Sequence, residues 1–290
     1  MTTLNSERSA KTHRKSRTQG VSGRVYVKHF ICKRSVSVLF AIGTASGKKG
    51  ILSVKVCVTV FAKNPVPNQV KTRLVPSLSP EQAATLYTAF LTDGCETLAK
   101  FPDVDRIIAY TPAEAQSDLQ ALLGDDAIYI PQIGADLGER LAAATQWAAE
   151  HGYTKILLVG SDSPTLPTSY ISQALTLLDS RDVAIGPSTD GGYYLIGFSA
   201  DTLKTTVPHI FEHIAWSTAD VFQQTVARIR SLKATLGLLP PWYDIDTAGD
   251  LAFLHAHISA MRLAGETVQA IRTESLLTEL FSSNSKEKEN

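Results

Sequence analysis

The sequence contains few cysteines and no long apolar segment. Its three cysteines, Cys32, Cys57 and Cys95, lie far apart along the 290-residue chain. This spacing excludes a disulfide framework and a zinc site of the Cys-x-x-Cys type, and it is typical of thiols in a reducing compartment. A transmembrane helix needs about 20 consecutive apolar residues, and no segment approaches that length. We therefore expect a cytoplasmic protein without a membrane span.

Basic and acidic residues balance over the whole chain but not along it. The formal net charge is zero, from 28 basic and 28 acidic residues. Eleven basic residues but only one acidic residue lie in 1–50, so 51–290 carries a net charge of −10. Generic nucleic-acid binding needs a basic surface to neutralise backbone phosphates. The sequence thus argues against a nucleic-acid partner, and phosphate recognition would have to come from a local group of cations.

Residues 1–53 form a basic extension without the apolar periodicity of a folded domain. Three interpretations are open: a signal peptide, an organelle transit peptide, or a start codon placed too far upstream. The basic region is too long and its apolar patch too weak for a signal peptide, whereas the acid-poor composition suits a transit peptide. We favour the third, under which this segment is foreign to the native protein. In each case we expect it to be disordered and outside the fold.

From residue 54 onwards, β-branched apolar segments alternate with helical ones. The segments at 56–61 and 155–160 are apolar throughout, as in strands buried on both faces of a sheet. Further strands are predicted at 106–110, 127–130, 183–186, 193–198 and 235–238, and helices after Ser79 and at 114–123, 137–151, 169–178, 217–231 and 247–260. This order predicts an α/β domain over 54–281, a mostly parallel sheet flanked by helices, followed by a polar tail at 282–290.

Several helix starts carry recognisable caps. Ser79 and Gln82 can form a capping box, with Pro80 at the first helical position. Asp136 and Thr247 are the expected N-caps of the helices that follow them. The short glycine turn before the strand at 193–198 also allows that strand to run antiparallel to its predecessor.

The loop after the first strand carries three cations, Lys63, Lys71 and Arg73. Two prolines stiffen this loop, and Asn68 tolerates the left-handed conformation of a tight turn. Arg offers a bidentate fork and Lys a point charge, so a rigid group of three suits a polyphosphate. A solvated surface turn explains the same residues.

A second candidate element follows the strand at 155–160. Gly160 permits close approach of the backbone to a ligand, and Asp162 lies directly beyond the strand end. A carboxylate at that position suits Mg²⁺ or Mn²⁺, which prefer hard oxygen ligands and share them with substrate phosphates. The alternative is that Asp162 merely caps a turn.

The segment 186–197 contains Asp190 followed by Gly191 and Gly192. Adjacent glycines let a backbone pass close to a ligand, and Asp190 is expected at the same edge of the sheet. Of Tyr193 and Tyr194, one should point to the core and the other to the cleft. An ordinary hairpin turn accounts for these residues without a function.

Near the C-terminus, Asp244 and Asp246 flank Ile245. Alternation places both carboxylates on one face while Ile245 points inward. A capping box explains Thr247 and Asp250 but leaves the acidic pair unexplained.

Taken in order, these segments resemble one family. They are the residues from Phe61 to Leu74, Gly134 to Leu141, Gly160 to Leu166, Gly186 to Tyr193, Trp216 to Thr218 and Asp244 to Thr247. The chain is similar over about 55–260 to the GT-A-like glycosyltransferase family often encoded beside radical-SAM proteins, the selenodomain-associated transferase group. This group is related to 2-phospholactate guanylyltransferase and molybdenum-cofactor guanylyltransferase.

The resemblance implies a role for each candidate residue. Lys63, Lys71 and Arg73 would hold nucleotide phosphates. Asp162 would be the principal ligand of Mg²⁺ or Mn²⁺ and Asp246 the second. The glycines 160, 191 and 192 would allow a nucleotide or nucleotide sugar to approach the backbone.

Two reactions are compatible with these roles. In a glycosyltransferase, an acceptor hydroxyl attacks a nucleoside-diphosphate sugar, with Asp190 as general base and Trp216 and Tyr193 as walls for the sugar. In a nucleotidyltransferase, an acceptor phosphate attacks a nucleoside triphosphate and releases pyrophosphate. The number of cations leans toward the triphosphate, but the family resemblance leads us to expect glycosyl transfer to a small-molecule acceptor. A binding protein without turnover is the weaker third hypothesis.

Overall fold

The computed structural model describes residues 54–203 and 206–287, which belong to one compact unit. Within them, seven strands form a single sheet in the order β3-β2-β1-β4-β6-β5-β7. The strands are Val56–Lys63 (β1), Val104–Thr111 (β2), Ile128–Pro131 (β3), Lys155–Val159 (β4), Val183–Pro187 (β5), Tyr193–Ser199 (β6) and Leu236–Leu238 (β7). Only β6 runs antiparallel to its neighbours in this sheet. The mostly parallel sheet is as predicted, and β6 takes the antiparallel direction that the sequence allowed.

Helices cover both faces of the sheet. They are Pro80–Leu98 (α1), Gln116–Leu123 (α2), Leu137–Glu150 (α3), Thr168–Leu177 (α4), Ala200–Leu203 (α5), Val207–Ile210 (α6), Val221–Ser231 (α7), Ala248–Leu263 (α8) and Ile271–Glu287 (α9). Short 3₁₀ turns occur at Thr72–Leu74 and Ala113–Ala115. One core cluster joins the sheet to α1, α2, α4, α8 and α9, and a second joins its other face to α3, α6 and α7.

The predicted caps are confirmed. Ser79 and Gln82 form a capping box at α1, and Thr247 and Asp250 form another at α8. The side chain of Asp136 accepts from the backbone N–H of Glu139 at the start of α3. Each contact joins residues three apart, which is why the sequence alone reveals it.

The C-terminal helix α9 was not predicted. It runs to Glu287, past residue 282, where we expected a polar tail to begin. The carboxylate of Asp93 on α1 accepts from the backbone N–H groups of Arg272 and Thr273, at 3.2 and 2.8 Å. Arg272 also forms a two-pronged pair with Glu96. The first turn of α9 is thus capped by a side chain about 180 positions earlier in the chain. Sequence patterns within a few residues of α9 could not predict this cap.

Cys57 and Cys95 are free and buried, and burial raises the pKa of Cys57 to about 12 and that of Cys95 to about 11. These thiols are therefore inert packing residues. Cys32 and the predictions made for residues 1–53 and 288–290 lie outside the described residues. No helix in the described ranges has the length and apolar character to cross a bilayer.

Candidate active site

A cleft of about 640 Å³ opens beyond the carboxyl ends of β1, β3 and β4. Parallel α/β sheets bind ligands at this edge. Its lining includes six of the predicted site residues, Lys63, Lys71, Arg73, Gly160, Asp162 and Asp246. It also includes Tyr87, Gln132 and Arg140, to which the sequence analysis gave no role.

Lys71 lies at the centre of this cleft wall. The buried side chains of Val70 and Leu74 anchor the loop on either side of it, and Lys71 itself has a left-handed φ of 48°. Its ammonium is 2.6 Å from Asp162 Oδ1 and 3.2 Å from Asp246 Oδ1, and donates to the carbonyl of Ile245 at 2.6 Å. The side chain is only 4% exposed. Two hydrogen bonds, to Asp246 and Ile245, and an ion pair with Asp162 thus surround the ammonium in a nearly dry position.

Asp162 and Asp246 are brought together by main-chain contacts. The N–H of Ile245 donates to the carbonyl of Asp162 at 3.0 Å, and the Ile245 side chain is fully buried. This fixes the segment before α8 beside the end of β4. The two carboxylates remain 41% and 36% exposed, so both face the cleft as well as Lys71.

The carboxylate pair fits a divalent cation. Asp162 and Asp246 already contact one ammonium ion in common, so a metal ion between them would meet an oxygen of each. Mg²⁺ in phosphate sites is held by one or two carboxylates, with substrate phosphates completing the shell. Across 54–203 and 206–287, no group of three or more His, Cys, Asp or Glu residues could hold a metal. Further ligands would therefore come from elsewhere, such as the phosphates of a substrate.

Three other cations line the cleft. Arg73 is 69% exposed and its Nη1 lies 3.2 Å from Asp246 Oδ2. Lys63 ends β1 with an exposed side chain. Arg140, on the first turns of α3, donates from Nε to the carbonyl of Gly134 at 3.1 Å. Arg140 belongs to the segment 134–141 that carries the family resemblance. The sequence could have indicated Arg140 as a site residue through that segment.

Tyr87 ties the two loops at the cleft floor to each other. Its hydroxyl accepts from the N–H of Lys63 at 3.1 Å and lies 2.8 Å from Ser161 Oγ. Burial, assisted by the charge of Asp162, raises the Tyr87 pKa far above its ordinary value. The sequence did not indicate this role of Tyr87, because the loops that it joins are distant in the chain.

Asp190, Gly191 and Gly192 are not part of the cleft lining. The Asp190 carboxylate accepts from the N–H of Gly192 at 2.9 Å within its own exposed turn. Gly191 has a φ of 93°, and a Cβ there would lie 2.0 Å from the carbonyl oxygen of Ala219. Close packing against the segment before α7 thus requires this glycine. A Cβ at Gly160, by contrast, would meet nothing within 4 Å.

The aromatic residues expected near a sugar occupy different places. Trp216 lines the cleft and packs on α3, where a Cβ at Gly138 would lie 2.5 Å from the indole nitrogen. Tyr193 and Tyr194 pack into the two core clusters on opposite faces of the sheet, and neither lines the cleft.

Asp244, expected on the same face as Asp246, does not line the cleft. Its carboxylate accepts from the hydroxyls of Ser163 and Ser188. Burial raises the pKa of this carboxyl, although the two serine hydrogen bonds oppose the shift. Asp244 and Asp246 therefore have different surroundings, one held by hydroxyls and the other by cations.

Comparison with known proteins supports a transferase. A family described as "Uncharacterized protein conserved in bacteria (DUF2064)" matches residues 94–218. Phosphoenolpyruvate guanylyltransferase of Sphaerobacter thermophilus is 28% identical over 202 residues, covering 69% of this chain and 94% of the relative. The 2-phospho-L-lactate guanylyltransferase of Methanothermobacter thermautotrophicus is 29% identical over 192 residues, covering 64% and 79%.

A solved structure extends the match to the fold. A protein from Desulfovibrio desulfuricans G20, provisionally named a nucleotide-diphospho-sugar transferase, is 37% identical, with a TM-score of 0.72 over 79% of this chain and 96% of that one. The sequence match confirms the relation to 2-phospholactate guanylyltransferase, while the relation to molybdenum-cofactor guanylyltransferase and the radical-SAM association stay predictions. The chain is a transferase of the DUF2064 family, homologous to these guanylyltransferases and built on the fold of nucleotide-diphospho-sugar transferases.

Proposed function

We propose that the protein transfers a nucleotidyl group from a nucleoside triphosphate to a phosphorylated small molecule and releases pyrophosphate. The observation that carries this proposal is the lining of the cleft. Four cations and a carboxylate pair surround it, whereas Asp190, the candidate base for a sugar acceptor, lies outside. This reverses the preference for glycosyl transfer drawn from the sequence.

The reaction suits this set of residues because it needs charge stabilisation more than proton transfer. An ionised oxygen of the acceptor phosphate attacks the α-phosphorus. The bond from that phosphorus to the β-bridging oxygen breaks, and pyrophosphate leaves with the electron pair. The nucleophile is already deprotonated, so no general base is required.

The chain's own residues would act on the polyphosphate. Lys71 and Arg73 would stabilise the charge that develops on pyrophosphate, and Lys63 and Arg140 would orient the triphosphate. Asp162 and Asp246 would hold Mg²⁺ or Mn²⁺, which neutralises phosphate charge when bound. In such a step Lys71 would exchange its two carboxylate partners for phosphate oxygens.

The relatives support a guanine nucleotide as donor. Two of them are named guanylyltransferases, one acting on phosphoenolpyruvate and one on 2-phospho-L-lactate. Both named acceptors are phosphorylated carboxylic acids, and we extend that class to this chain.

Glycosyl transfer remains the second candidate. It is favoured by the name of the structure at 37% identity and by Trp216, an aromatic wall within the cleft. In that reaction a neutral hydroxyl must lose a proton, which assigns a catalytic role to Asp190.

Product analysis separates the two reactions. The protein is incubated with Mg²⁺, each of the four nucleoside triphosphates, and phosphoenolpyruvate or 2-phospholactate, and pyrophosphate is measured. A parallel series with nucleotide sugars measures free nucleoside diphosphate. We expect pyrophosphate, undiminished in Asp190→Ala. Nucleoside diphosphate from a sugar donor, lost in Asp190→Ala, would establish glycosyl transfer instead.

A further inference from the structure

Gln132, which directly follows β3, has a fixed side-chain amide. Its Nε2 donates to the backbone carbonyls of Ala62 and Ala109, at 3.2 and 2.9 Å. Carbonyl oxygens only accept hydrogen bonds, so the amide cannot flip without losing both contacts. In the described part of the chain no group donates to the Gln132 Oε1 atom. Because Gln132 lines the cleft, Oε1 is the polar atom that this side chain can offer to a ligand.

The position of this amide suits the base of a nucleotide. Ala62 and Ala109 lie near the carboxyl ends of β1 and β2, whereas Asp162 follows β4 on the other side of β1. Neighbouring strands are about 4.8 Å apart, so the amide is offset from Asp162 by roughly 5–10 Å along the sheet edge. A ribose spans such a distance between the α-phosphate and the base.

The surroundings of Gln132 add a second acceptor. Asp136 lines the same cleft. Its Oδ1 caps α3 by accepting from the N–H of Glu139 at 2.8 Å, and the carboxylate can accept further hydrogen bonds. Leu137, 44% exposed, offers an apolar contact beside it. Guanine presents two adjacent donors, N1–H and the 2-amino group. Adenine, cytosine and uracil each present only one donor group on the same edge.

We propose that Gln132 selects guanine by accepting a hydrogen bond at Oε1 from the 2-amino group, with Asp136 as the acceptor for N1–H. This inference rests on the proposed function, since it places a nucleotide in the cleft. It adds the residue that discriminates between bases. The backbone carbonyls hold Oε1 in place before the base arrives, so little side-chain entropy is lost on binding.

Inosine triphosphate tests the contact directly because it is guanosine triphosphate without the 2-amino group. Dissociation constants for both nucleotides are measured by calorimetry with Mg²⁺, on wild type and on Gln132→Met, which keeps the volume and removes both polar atoms. Wild type should bind the guanine nucleotide about tenfold more tightly, the value of one good hydrogen bond. In Gln132→Met the two constants should become equal, with little change for the inosine nucleotide.

Gln69 provides a matched control, since it is a second glutamine in the same lining. Gln69→Met should leave the tenfold ratio intact. If Gln132 has a purely structural role, Gln132→Met should weaken the binding of both nucleotides equally and leave the ratio of their dissociation constants at about ten. That result would overturn the inference. So would a wild type that binds both nucleotides alike, a result that does not depend on the folding of any variant.

The proposed function fails in a different way. If no triphosphate yields pyrophosphate, nucleotidyl transfer is wrong even where the binding ratio behaves as expected. If pyrophosphate forms but the ratio is unaffected by Gln132→Met, the reaction stands and the role of Gln132 is wrong.

Discussion

The substitution Lys71→Met tests whether the Lys71 ammonium stabilises the neighbouring carboxylates of Asp162 and Asp246. The methionine keeps the length and the apolar stem but removes the charge. Asp162 and Asp246 then face each other with no cation between them, apart from the contact of Arg73 with Asp246.

The expected cost follows from the burial of the three groups. Removing one partner of a fully buried pair costs about 3–5 kcal/mol, whereas an exposed pair contributes about 1 kcal/mol or less. Here the ammonium is 4% exposed, but the carboxylates are 41% and 36% exposed. Water therefore screens the uncompensated charges partly, and we expect a loss of about 2 kcal/mol.

Urea unfolding with EDTA and with excess Mg²⁺ measures this loss. A divalent cation can take the place of the ammonium between the carboxylates, so Mg²⁺ should restore much of the stability of Lys71→Met and change wild type less. Mn²⁺ alone should also bind the variant more tightly than wild type. Pyrophosphate release should fall by at least about 100-fold, because a donor to the leaving group is lost.

Arg73→Met is the control. Arg73 is 69% exposed and contacts only Asp246 of the pair, so its loss should cost about 0.5 kcal/mol or less. Equal stability losses in the two variants would refute this reasoning. So would a Lys71→Met protein as stable as wild type in EDTA.

Three further substitutions test the surrounding structure. Gly191→Ala should lower the free energy of unfolding in urea by about 3 kcal/mol, because residue 191 has a φ of 93° and an added Cβ would lie 2.0 Å from the carbonyl oxygen of Ala219. Gly192→Ala should lower it by less than about 1 kcal/mol. Equal effects of the two substitutions would contradict the close packing at Gly191. Asp93→Ala leaves two N–H groups of α9 without an acceptor, so it should lower the free energy of unfolding by about 2–3 kcal/mol. Hydrogen exchange should become faster in α9 than in the other helices, and equally faster exchange in all helices would argue against a local role. Hydrogen bonds from Thr235 lower the pKa of Asp182, so this carboxylate adds stability above its ordinary pKa that is lost as the pH falls through the lowered value. The stability difference between wild type and Asp182→Asn should therefore shrink from pH 6 to pH 3, and a constant difference would contradict this linkage.

Local features of this protein were readable from the sequence. The caps at Ser79, Asp136 and Thr247 act over three residues, and the strands show as apolar runs. The left-handed Asn68, with a φ of 65°, was expected from its residue type in a tight loop. The placement of Lys71 in the loop after β1 and of Asp162 just beyond β4 follows from the same patterns, since a parallel sheet brings the carboxyl ends of its strands to one edge.

The tertiary structure decided which of these residues meet. Lys71 contacts Asp246 across 175 positions, and Gln132 is fixed by two strands that precede it in the chain. The glycine at 191 is required by close packing against Ala219, a constraint that the sequence of the turn did not reveal. Helices, strands and caps can be predicted from the spacing of residues along the chain because they depend on neighbours a few positions away. Partners brought together by strand order depend on contacts throughout the fold, and the sequence of any one segment does not contain them.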